Sequence, residues 1–337
     1  MKKNFLISTG GSGGHVIPAK ILCEHLAHQA NLIISTDKRG LKYIDEKKYS
    51  VEVVDTPRIR NFLFSPFIFL KILSLTLKSI YFIRKRKIEK VFCTGGYMSI
   101  PIIFAAKILN LEIYLIEPNQ VLGRANKFFL KMCKKIFCYF KRIKNFPENS
   151  QSKIINIFPL VEKNIYNPIF PLKHNKKFSI LIVGGSQGAK IFDNDLKNVM
   201  VNISKKFPIR IFQQTNENNI LNLKNFYKEN DLENKIFNFD KNFIEIIRQT
   251  DLCITRAGAS TLAELSISNI PFLAIPLPTA KDNHQFENAK FYKEEDCCWL
   301  LEQSLIGNIE EYLMKILTDK SDYFKKRENL KKLNYQN

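Results

Sequence analysis

The chain has 337 residues, with 45% hydrophobic and 25% charged residues, which is the composition of a globular protein of about two domains. The short apolar run after Met1 is too brief for a secretory signal, and the seven cysteines show no C-x-x-C pair or zinc spacing, so we expect reduced thiols and no metal site. A formal net charge of +20 favours anionic partners, although a genome-wide bias towards Lys and Asn can supply part of it.

Short apolar runs alternate with longer amphipathic stretches, which predicts parallel sheets with crossover helices. In the first half we expect strands at 4–9, 31–35, 51–54, 90–94, 112–116 and 135–139, and helices that include 17–30 and 100–109. The irregular stretch 154–168 is expected to join two domains. The second half predicts strands at 178–183, 209–213, 236–239, 251–255 and 271–275, followed by a helical tail over 309–337. The chain is therefore predicted to be α/β, with ligands at the carboxyl ends of its strands.

Two glycine-rich turns follow predicted strands directly, at Gly10–His15 and at Gly184–Gly188. Such turns let backbone N–H groups approach an anion at the start of a helix. Neither turn matches the dinucleotide fingerprint or the ATPase P-loop. His15 ends the first turn, where an imidazole could act as a general base or stabilise an oxyanion, although capping or packing is the alternative.

Further polar segments follow the other predicted strands. Gly95-Gly96-Tyr97 forms a third glycine turn, and the strand that ends at Glu117 leads into Pro118-Asn119-Gln120, which is also typical of a plain turn. In the segment Ala257–Glu264, Thr261 and Glu264 fit a helix capping box, while the functional alternative is a carboxylate that binds a ribose diol. The segment Lys281–Ala289 by itself is typical of a surface loop entering a helix.

Asp193 and Asp195 look like a metal-binding pair, but side chains two positions apart on a helix diverge, so we expect no metal there.

The segment 58–90 is rich in Phe, Leu and Ile and carries nine Lys/Arg residues against one acid, Glu89. Because Pro66, Lys71 and Lys78 interrupt its apolar run, we expect no clean stretch of about 20 apolar residues to span a bilayer. The pattern favours a basic amphipathic segment on an anionic membrane surface. An ordinary core helix with a basic outer face is the alternative.

Taken in order, these motifs closely resemble those of the MurG family of bacterial glycosyltransferases (GT-B fold, glycosyltransferase family 28). The resemblance covers nearly the whole chain, through Gly10–His15, Gly95–Pro101, the segment 116–127, Gly184–Ala189, Ala257–Glu264 and Lys281–Ala289. It implies two Rossmann-like, doubly wound parallel-sheet domains facing a central cleft. The expected parts are an acceptor- and membrane-binding domain at 1–157, a UDP-GlcNAc-binding domain at 158–318, and a C-terminal helix at 319–337 that returns to the first domain.

The resemblance implies an inverting transferase that moves GlcNAc from UDP-GlcNAc to the C4 hydroxyl of undecaprenyl-diphospho-muramoyl-pentapeptide (lipid I). The product would be lipid II, made for peptidoglycan at the cytoplasmic face of the bacterial inner membrane. No cofactor is expected, and no nucleic-acid partner, because the charge comes without a recognition motif. The alternatives are another GT-B enzyme, such as a diacylglycerol glycosyltransferase or a UDP-GlcNAc epimerase, and a non-catalytic sugar-nucleotide-binding membrane protein.

The resemblance also implies roles for individual residues. His15 is the catalytic candidate, Glu264 is expected on the ribose hydroxyls, and Gln285 on those of GlcNAc. Gly95, Gly96 and Tyr97 are assigned to the acceptor side. The implied substrate-binding residues are Ser12, Gly13 and Gly14 near the diphosphates, Asn119 on the donor sugar, Ser186 on the donor phosphates, and Ala259, Ser260, Thr261, Leu262, Ala263 and Glu264 around uridine.

The chain departs from the family pattern at three positions. Ile116 and Pro118 stand where the family usually has His and Gln. Val161 stands where the family has an arginine that reaches a donor phosphate, which puts donor affinity in question because such a contact is strong. Lys163, two residues later, is a candidate substitute.

Overall fold

The structure is a computed structural model and describes residues 2–57, 66–166, 177–184, 190–238, 240 and 243–333. The chain forms two compact units, Met1–Glu162 and Lys163–Asn337. The first unit ends at Glu162, and a strand over Ile154–Asn156 joins its sheet near this end. In addition, His25 Nε2 lies 2.9 Å from the Val161 carbonyl oxygen, which ties the end of this unit to its first long helix.

The first unit contains a seven-stranded parallel sheet in the order β3-β2-β1-β4-β5-β6-β7. Its strands are β1 (Lys3–Ser8), β2 (Ala30–Thr36), β3 (Ser50–Val53), β4 (Ile88–Cys93), β5 (Glu112–Glu117), β6 (Lys135–Cys138) and β7 (Ile154–Asn156). Its helices are α1 (Gly13–Leu26), α2 (Lys38–Leu41), α3 (Pro66–Lys85), α4 (Ile100–Ile108) and α5 (Arg124–Phe129). The strand order reverses between β1 and β4, and the crevice at such a switch point is where open α/β sheets bind ligands.

The second unit repeats this plan with a six-stranded parallel sheet in the order β10-β9-β8-β11-β12-β13. Its strands are β8 (Phe178–Val183), β9 (Ile209–Gln214), β10 (Asn234–Phe237), β11 (Leu252–Thr255), β12 (Phe272–Ala274) and β13 (Cys298–Leu300). Its helices are α6 (Lys190–Ser204), α7 (Ile220–Glu229), α8 (Phe243–Ile247), α9 (Ala259–Ile267), α10 (His284–Glu294), α11 (Ile309–Thr318) and α12 (Lys320–Leu333). The switch point lies between β8 and β11.

The last helix, α12, packs within the second unit, and its return to the first domain stays a prediction. Tyr323 is buried, packs edge-on against Phe178, and donates a hydrogen bond from its hydroxyl to the Asp251 carbonyl (2.9 Å). Trp299 Nε1 donates to Asp322 (2.8 Å). These buried contacts stabilise α12 against the sheet of the second unit.

Helix α3 differs from expectation. It has 20 residues, and its most apolar window has a mean hydropathy of 1.6, so within the described ranges this one helix is long and apolar enough to cross a membrane. Pro66 begins the helix instead of interrupting it, and Lys71 and Lys78 are too few to break the apolar run. The helix packs against α4 and buries a stripe that comprises Ile72, Thr76, Ser79, Phe82 and Ile83.

Candidate functional site

The turn after β1 is built so that only glycine fits at its first two positions. Gly10 and Gly11 have φ angles of +151° and +81°. A Cβ on Gly10 would lie 2.7 Å from Asp37 Oδ1, and one on Gly11 would lie 2.5 Å from Met98 Cε. Ser12 is the extended N-cap of α1, and its side chain makes no capping hydrogen bond.

Helix α1 therefore begins inside the glycine turn, at Gly13, and not at residue 17 as expected. The first-turn amides of an α-helix have no acceptor within the helix. Those of Gly13 and Gly14, next to the uncommitted hydroxyl of Ser12, can bind an anion where the helix dipole favours negative charge.

His15 connects this turn to the turn after β4. Its Nδ1 lies 2.8 Å from the carbonyl oxygen of Thr94. Because a carbonyl only accepts hydrogen bonds, Nδ1 carries the proton and Nε2 of the neutral ring keeps its lone pair. A Cβ on Gly95 would lie 3.3 Å from His15 Cε1, so the glycine turn packs directly against the imidazole. The structure thus brings together His15 and Gly95, which the sequence separates by 80 positions.

A cluster of three side chains, Asp37, Arg39 and Tyr97, supports the first glycine turn. Asp37 Oδ1 accepts hydrogen bonds from the amides of Gly11 (2.8 Å) and Gly40 (2.9 Å). Arg39 reaches Asp37 Oδ2 through Nε (2.8 Å) and Nη2 (2.7 Å), and Nη2 also donates to the Tyr97 hydroxyl. Burial alone would raise the pKa of Asp37, but the two amides and the guanidinium hold it below its usual value.

Sequence reasoning missed Asp37 and Arg39, although a signal was present. The stretch Asp37–Gly40 directly follows β2, and β2 pairs with β1 in the parallel sheet. The carboxyl ends of neighbouring parallel strands lie at the same edge of the sheet, so an acidic and a basic residue at that point belong with the glycine turn.

Glu117, at the end of β5, organises the loop that follows it. The carboxylate is only 2% exposed. Oε1 accepts from the backbone and side-chain amides of Asn119 (3.2 and 3.1 Å), and Oε2 accepts from Gly123 N (2.8 Å) and Asn126 Nδ2 (2.9 Å). Glu117 therefore holds Asn119 half-buried at the ligand edge of the sheet. Asn126 Oδ1 is buried without a partner in the described part of the chain, and lies 3.6 Å from where a Cβ on Gly95 would be.

In the second unit, the segment after β11 forms the start of α9. Gly258 is the N-cap and the helix begins at Ala259, so the expected capping box of Thr261 and Glu264 is absent. Both side chains are half-buried, as is Ser260 one turn before Glu264. The opposite face of α9 is packed: Leu262 and Ala263 are each 1% exposed, so their side chains belong to the core.

Two residues beside this helix start are held by backbone groups. Arg256 is buried and donates to the carbonyls of Ile275 (3.0 Å) and Pro276 (3.2 Å). Gln285, in the first turn of α10, accepts a hydrogen bond from Leu277 N (3.0 Å) through Oε1. The loop ahead of α10 has left-handed backbone at Asp282 and Asn283, which both tolerate it.

The sequence also singled out Ser186, Val161 and Asp193. Ser186 and the rest of its turn, 185–189, lie outside the described residues. Val161 is fully buried in the first unit. Asp193 accepts hydrogen bonds from Gln213 and Thr215 (3.0 and 2.6 Å), which accounts for it structurally. Across the described ranges, His, Cys, Asp and Glu side chains form no group of three or more that could hold a metal ion.

Two doubly wound parallel sheets in one chain are the architecture of the GT-B class of glycosyltransferases. The sequence pattern of the glycosyltransferase family 28 N-terminal domain matches residues 5–138, and that of the family 28 C-terminal domain matches residues 179–336. The chain belongs to glycosyltransferase family 28.

Relatives match this chain along all or nearly all of its length. The UDP-N-acetylglucosamine–N-acetylmuramyl-(pentapeptide) pyrophosphoryl-undecaprenol N-acetylglucosamine transferase of Pelagibacter ubique is 46% identical over 340 residues, covering 100% of this chain and 96% of the relative. The enzyme of the same name from Rickettsia canadensis is 36% identical, covering 97% and 96%.

Solved structures share the fold. Acinetobacter baumannii MurG superposes with a TM-score of 0.79 at 24% identity, over 98% of this chain and 95% of that one. A UDP-glucose: anthocyanidin 3-O-glucosyltransferase in complex with UDP gives 0.68 at 13% identity, over 99% and 93%.

Proposed function

We propose that this protein transfers N-acetylglucosamine from UDP-N-acetylglucosamine to the C4 hydroxyl of undecaprenyl-diphospho-N-acetylmuramoyl-pentapeptide, converting lipid I to lipid II. The observation that carries the proposal is 46% identity along the full chain with a transferase whose name states this donor and this acceptor. The arrangement around His15 supports it, because a half-buried imidazole with a fixed tautomer stands beside two phosphate-type turns.

In this reaction the acceptor hydroxyl attacks the anomeric carbon of GlcNAc on the face opposite UDP. The bond from that carbon to the diphosphate breaks, UDP leaves, and the configuration inverts. His15 Nε2 takes the hydroxyl proton, and the Thr94 carbonyl stabilises the resulting imidazolium through Nδ1–H. The Thr94 carbonyl holds the ring in one orientation, so proton transfer to Nε2 needs no rotation of the imidazole.

The donor is assigned to the second unit. The first-turn amides of α9 and the half-buried side chains of Ser260, Thr261 and Glu264 form one polar surface at the carboxyl end of β11. A carboxylate there accepts hydrogen bonds from the two ribose hydroxyls, as in other nucleotide sites on such sheets. Ser186 and its glycine turn after β8 are proposed to bind the leaving diphosphate, and Gln285 the GlcNAc hydroxyls.

We assign the acceptor and the membrane to the first unit. The outer face of α3 exposes a continuous apolar stripe, Phe67 (75%), Phe69, Leu70, Leu73, Leu77 and Tyr81 (68%). Four basic residues, Arg84–Lys87, lie exposed at the end of the helix. An apolar stripe beside cations is the pattern of a helix that lies in an anionic lipid interface, and the buried opposite face keeps α3 within its own unit.

The transfer is tested with labelled UDP-GlcNAc, purified protein and a short-chain lipid I analogue. We expect a labelled disaccharide product and an equal amount of released UDP. Diacylglycerol in place of the lipid I analogue should give no product. Transfer to diacylglycerol alone, epimerisation of UDP-GlcNAc, or UDP-GlcNAc binding without transfer would each refute the proposed reaction.

Membrane binding is tested by sedimentation with vesicles that contain phosphatidylglycerol. The variant Leu70→Ser/Leu77→Ser should lose most of its binding, because each side chain contributes on the order of 1 kcal/mol on entering the interface. The matched control is Leu221→Ser, on an equally exposed site (69%) of α7. Equal loss in both variants, or no loss in the first, would contradict the assignment of α3.

A further inference from the structure

Arg39 is the exposed half of a buried ion pair. The Asp37 side chain is 1% exposed, while that of Arg39 is 36% exposed. Both carboxylate oxygens are occupied, Oδ1 by the amides of Gly11 and Gly40 and Oδ2 by the guanidinium. The carboxylate therefore has little capacity left for solvent or ligand, and the part of this pair that a ligand can meet is cationic.

The guanidinium is fixed in position and retains unused donors. It lies over the Tyr97 ring, 5.5 Å from the centroid, and Nη2 donates to the Tyr97 hydroxyl. Its contacts with Asp37 and Tyr97 use Nε and Nη2, so among the described residues the two N–H groups of Nη1 remain without a partner. A planar guanidinium that has N–H groups left to donate, and that loses little conformational entropy on binding, is suited to phosphate oxygens.

The guanidinium also stands next to the phosphate-type turn, and it is connected to His15 through Tyr97 and Gly96. Nη2 lies 3.9 Å from where a Cβ on Gly11 would be. On the other side, a Cβ on Gly96, the neighbour of Tyr97, would lie 3.7 Å from His15 Cδ2. Arg39, Tyr97, Gly96 and His15 thus form a continuous row at the carboxyl ends of β1, β2 and β4.

We propose that Arg39, held by Asp37 and Tyr97, is a binding residue for the diphosphate of the lipid-linked acceptor. The inference rests on the proposed function, which places the acceptor in this unit and the donor in the other. The diphosphate follows C1 of the muramoyl sugar, so an Arg39 contact holds the acceptor while its C4 hydroxyl faces His15. Asp37 acts as a positioning residue, since it contacts Arg39 and the Gly11 amide and not the substrate.

The test compares wild type, Arg39→Gln, Arg39→Lys and the neighbouring control Lys38→Gln, whose exposed side chain pairs with Asp55 (3.7 Å). In the transfer assay Arg39→Gln should raise KM for the lipid I analogue by about 10- to 100-fold, the effect of one lost charged hydrogen bond. Its KM for UDP-GlcNAc and its affinity for UDP should stay within about twofold of wild type. Arg39→Lys should give an intermediate KM because it keeps the charge without the planar fork, and Lys38→Gln should match wild type.

Direct titration with farnesyl diphosphate separates this inference from the proposed reaction. Wild type should bind it more tightly than Arg39→Gln by a similar factor, whether or not GlcNAc is transferred. Equal affinities overturn the inference, and weaker UDP binding by Arg39→Gln moves the arginine to the donor. Because Arg39→Gln leaves Asp37 without its cation, the double variant Asp37→Asn/Arg39→Gln removes that charge and must reproduce the selective loss. If Arg39→Gln bound both substrates more weakly and also had a lower melting temperature, Arg39 would have a structural role only, and the inference would be overturned.

Discussion

Each unit places an arginine beside the turn at its switch point, but the two arginines are held in opposite ways. Arg39 pairs with a buried carboxylate and keeps 36% of its side chain exposed. Arg256 is buried, lies over the Phe192 ring at 5.0 Å, and donates to two carbonyls and to Gln303 Oε1 (2.6 Å). Burial lowers the pKa of Arg256, whereas Asp37 raises that of Arg39 against the effect of its own burial.

The difference shows how one fold builds two kinds of ligand edge. In the first unit the Arg39 guanidinium is paired with the buried carboxylate of Asp37, and part of the guanidinium remains exposed to solvent. In the second unit the guanidinium is fully engaged by two loop carbonyls and by Gln303. We propose that the donor is bound there by helix amides and by the carboxylate of Glu264 instead. A buried guanidinium satisfied by carbonyls stabilises the fold, while an exposed one fixed by a carboxylate is suited to binding.

The largest effect is expected for His15→Ala in the first unit. Loss of a general base lowers kcat by about 10²- to 10⁴-fold. UDP affinity should stay within about twofold of wild type, because the donor is assigned to the other unit. Steady-state kinetics and UDP titration measure both, with His28→Ala, an exposed histidine of the same unit, as control. A wild-type kcat in His15→Ala would remove it from the catalytic role.

Arg256→Gln should destabilise the second unit. The change leaves the carbonyls of Ile275 and Pro276 with unsatisfied capacity in a buried site, at a cost of about 2–4 kcal/mol in the free energy of unfolding. Urea unfolding followed by Trp299 fluorescence reports on this unit. Arg248→Gln removes an exposed pair with Glu245 and should cost less than about 0.5 kcal/mol. Equal midpoints for the two variants would refute a bracing role for Arg256.

Glu264→Gln should weaken the binding of UDP-GlcNAc and leave the binding of the acceptor unchanged. Replacing a carboxylate that accepts from two hydroxyls by an amide should raise KM for UDP-GlcNAc by about 10- to 100-fold and leave KM for the lipid I analogue unchanged. Glu311→Gln, an exposed site on α11, is the matched control. If the acceptor KM rose instead, the division of substrates between the two units would be reversed.

The smallest effect concerns the pH dependence of stability. The folded-state pKa of Asp37 lies below its unfolded value, so its ion pair stabilises the fold fully above the unfolded pKa of about 3.9 and is lost as pH falls through the lower folded pKa. The difference in urea midpoint between wild type and Asp37→Asn should therefore be constant from pH 7 to pH 5 and shrink below pH 4. Asp55→Asn, at a more exposed ion pair, should show a smaller difference, and a pH-independent gap for Asp37→Asn would contradict the assignment.

Much of the fold could be predicted because it depends on local patterns. Apolar runs followed by glycine indicated the strands β1, β4 and β8 and their ligand edge. The three-residue strands β7 and β13 were missed, whereas β12, which is equally short, was predicted. The capping box was misplaced because Gly258 already occupied the N-cap, and an extended glycine is also an accepted N-cap.

The sequence by itself determined the two parallel sheets, the glycine positions that need positive φ, and the imidazole beside them, because each of these depends on residues adjacent in the chain. Only the tertiary structure decided which groups meet across the strand ends: Thr94 with His15, and Asp37 with Gly11. It also decided that α12 packs on the second unit. Such contacts depend on which strands are neighbours, a property of the whole sheet that no single segment encodes.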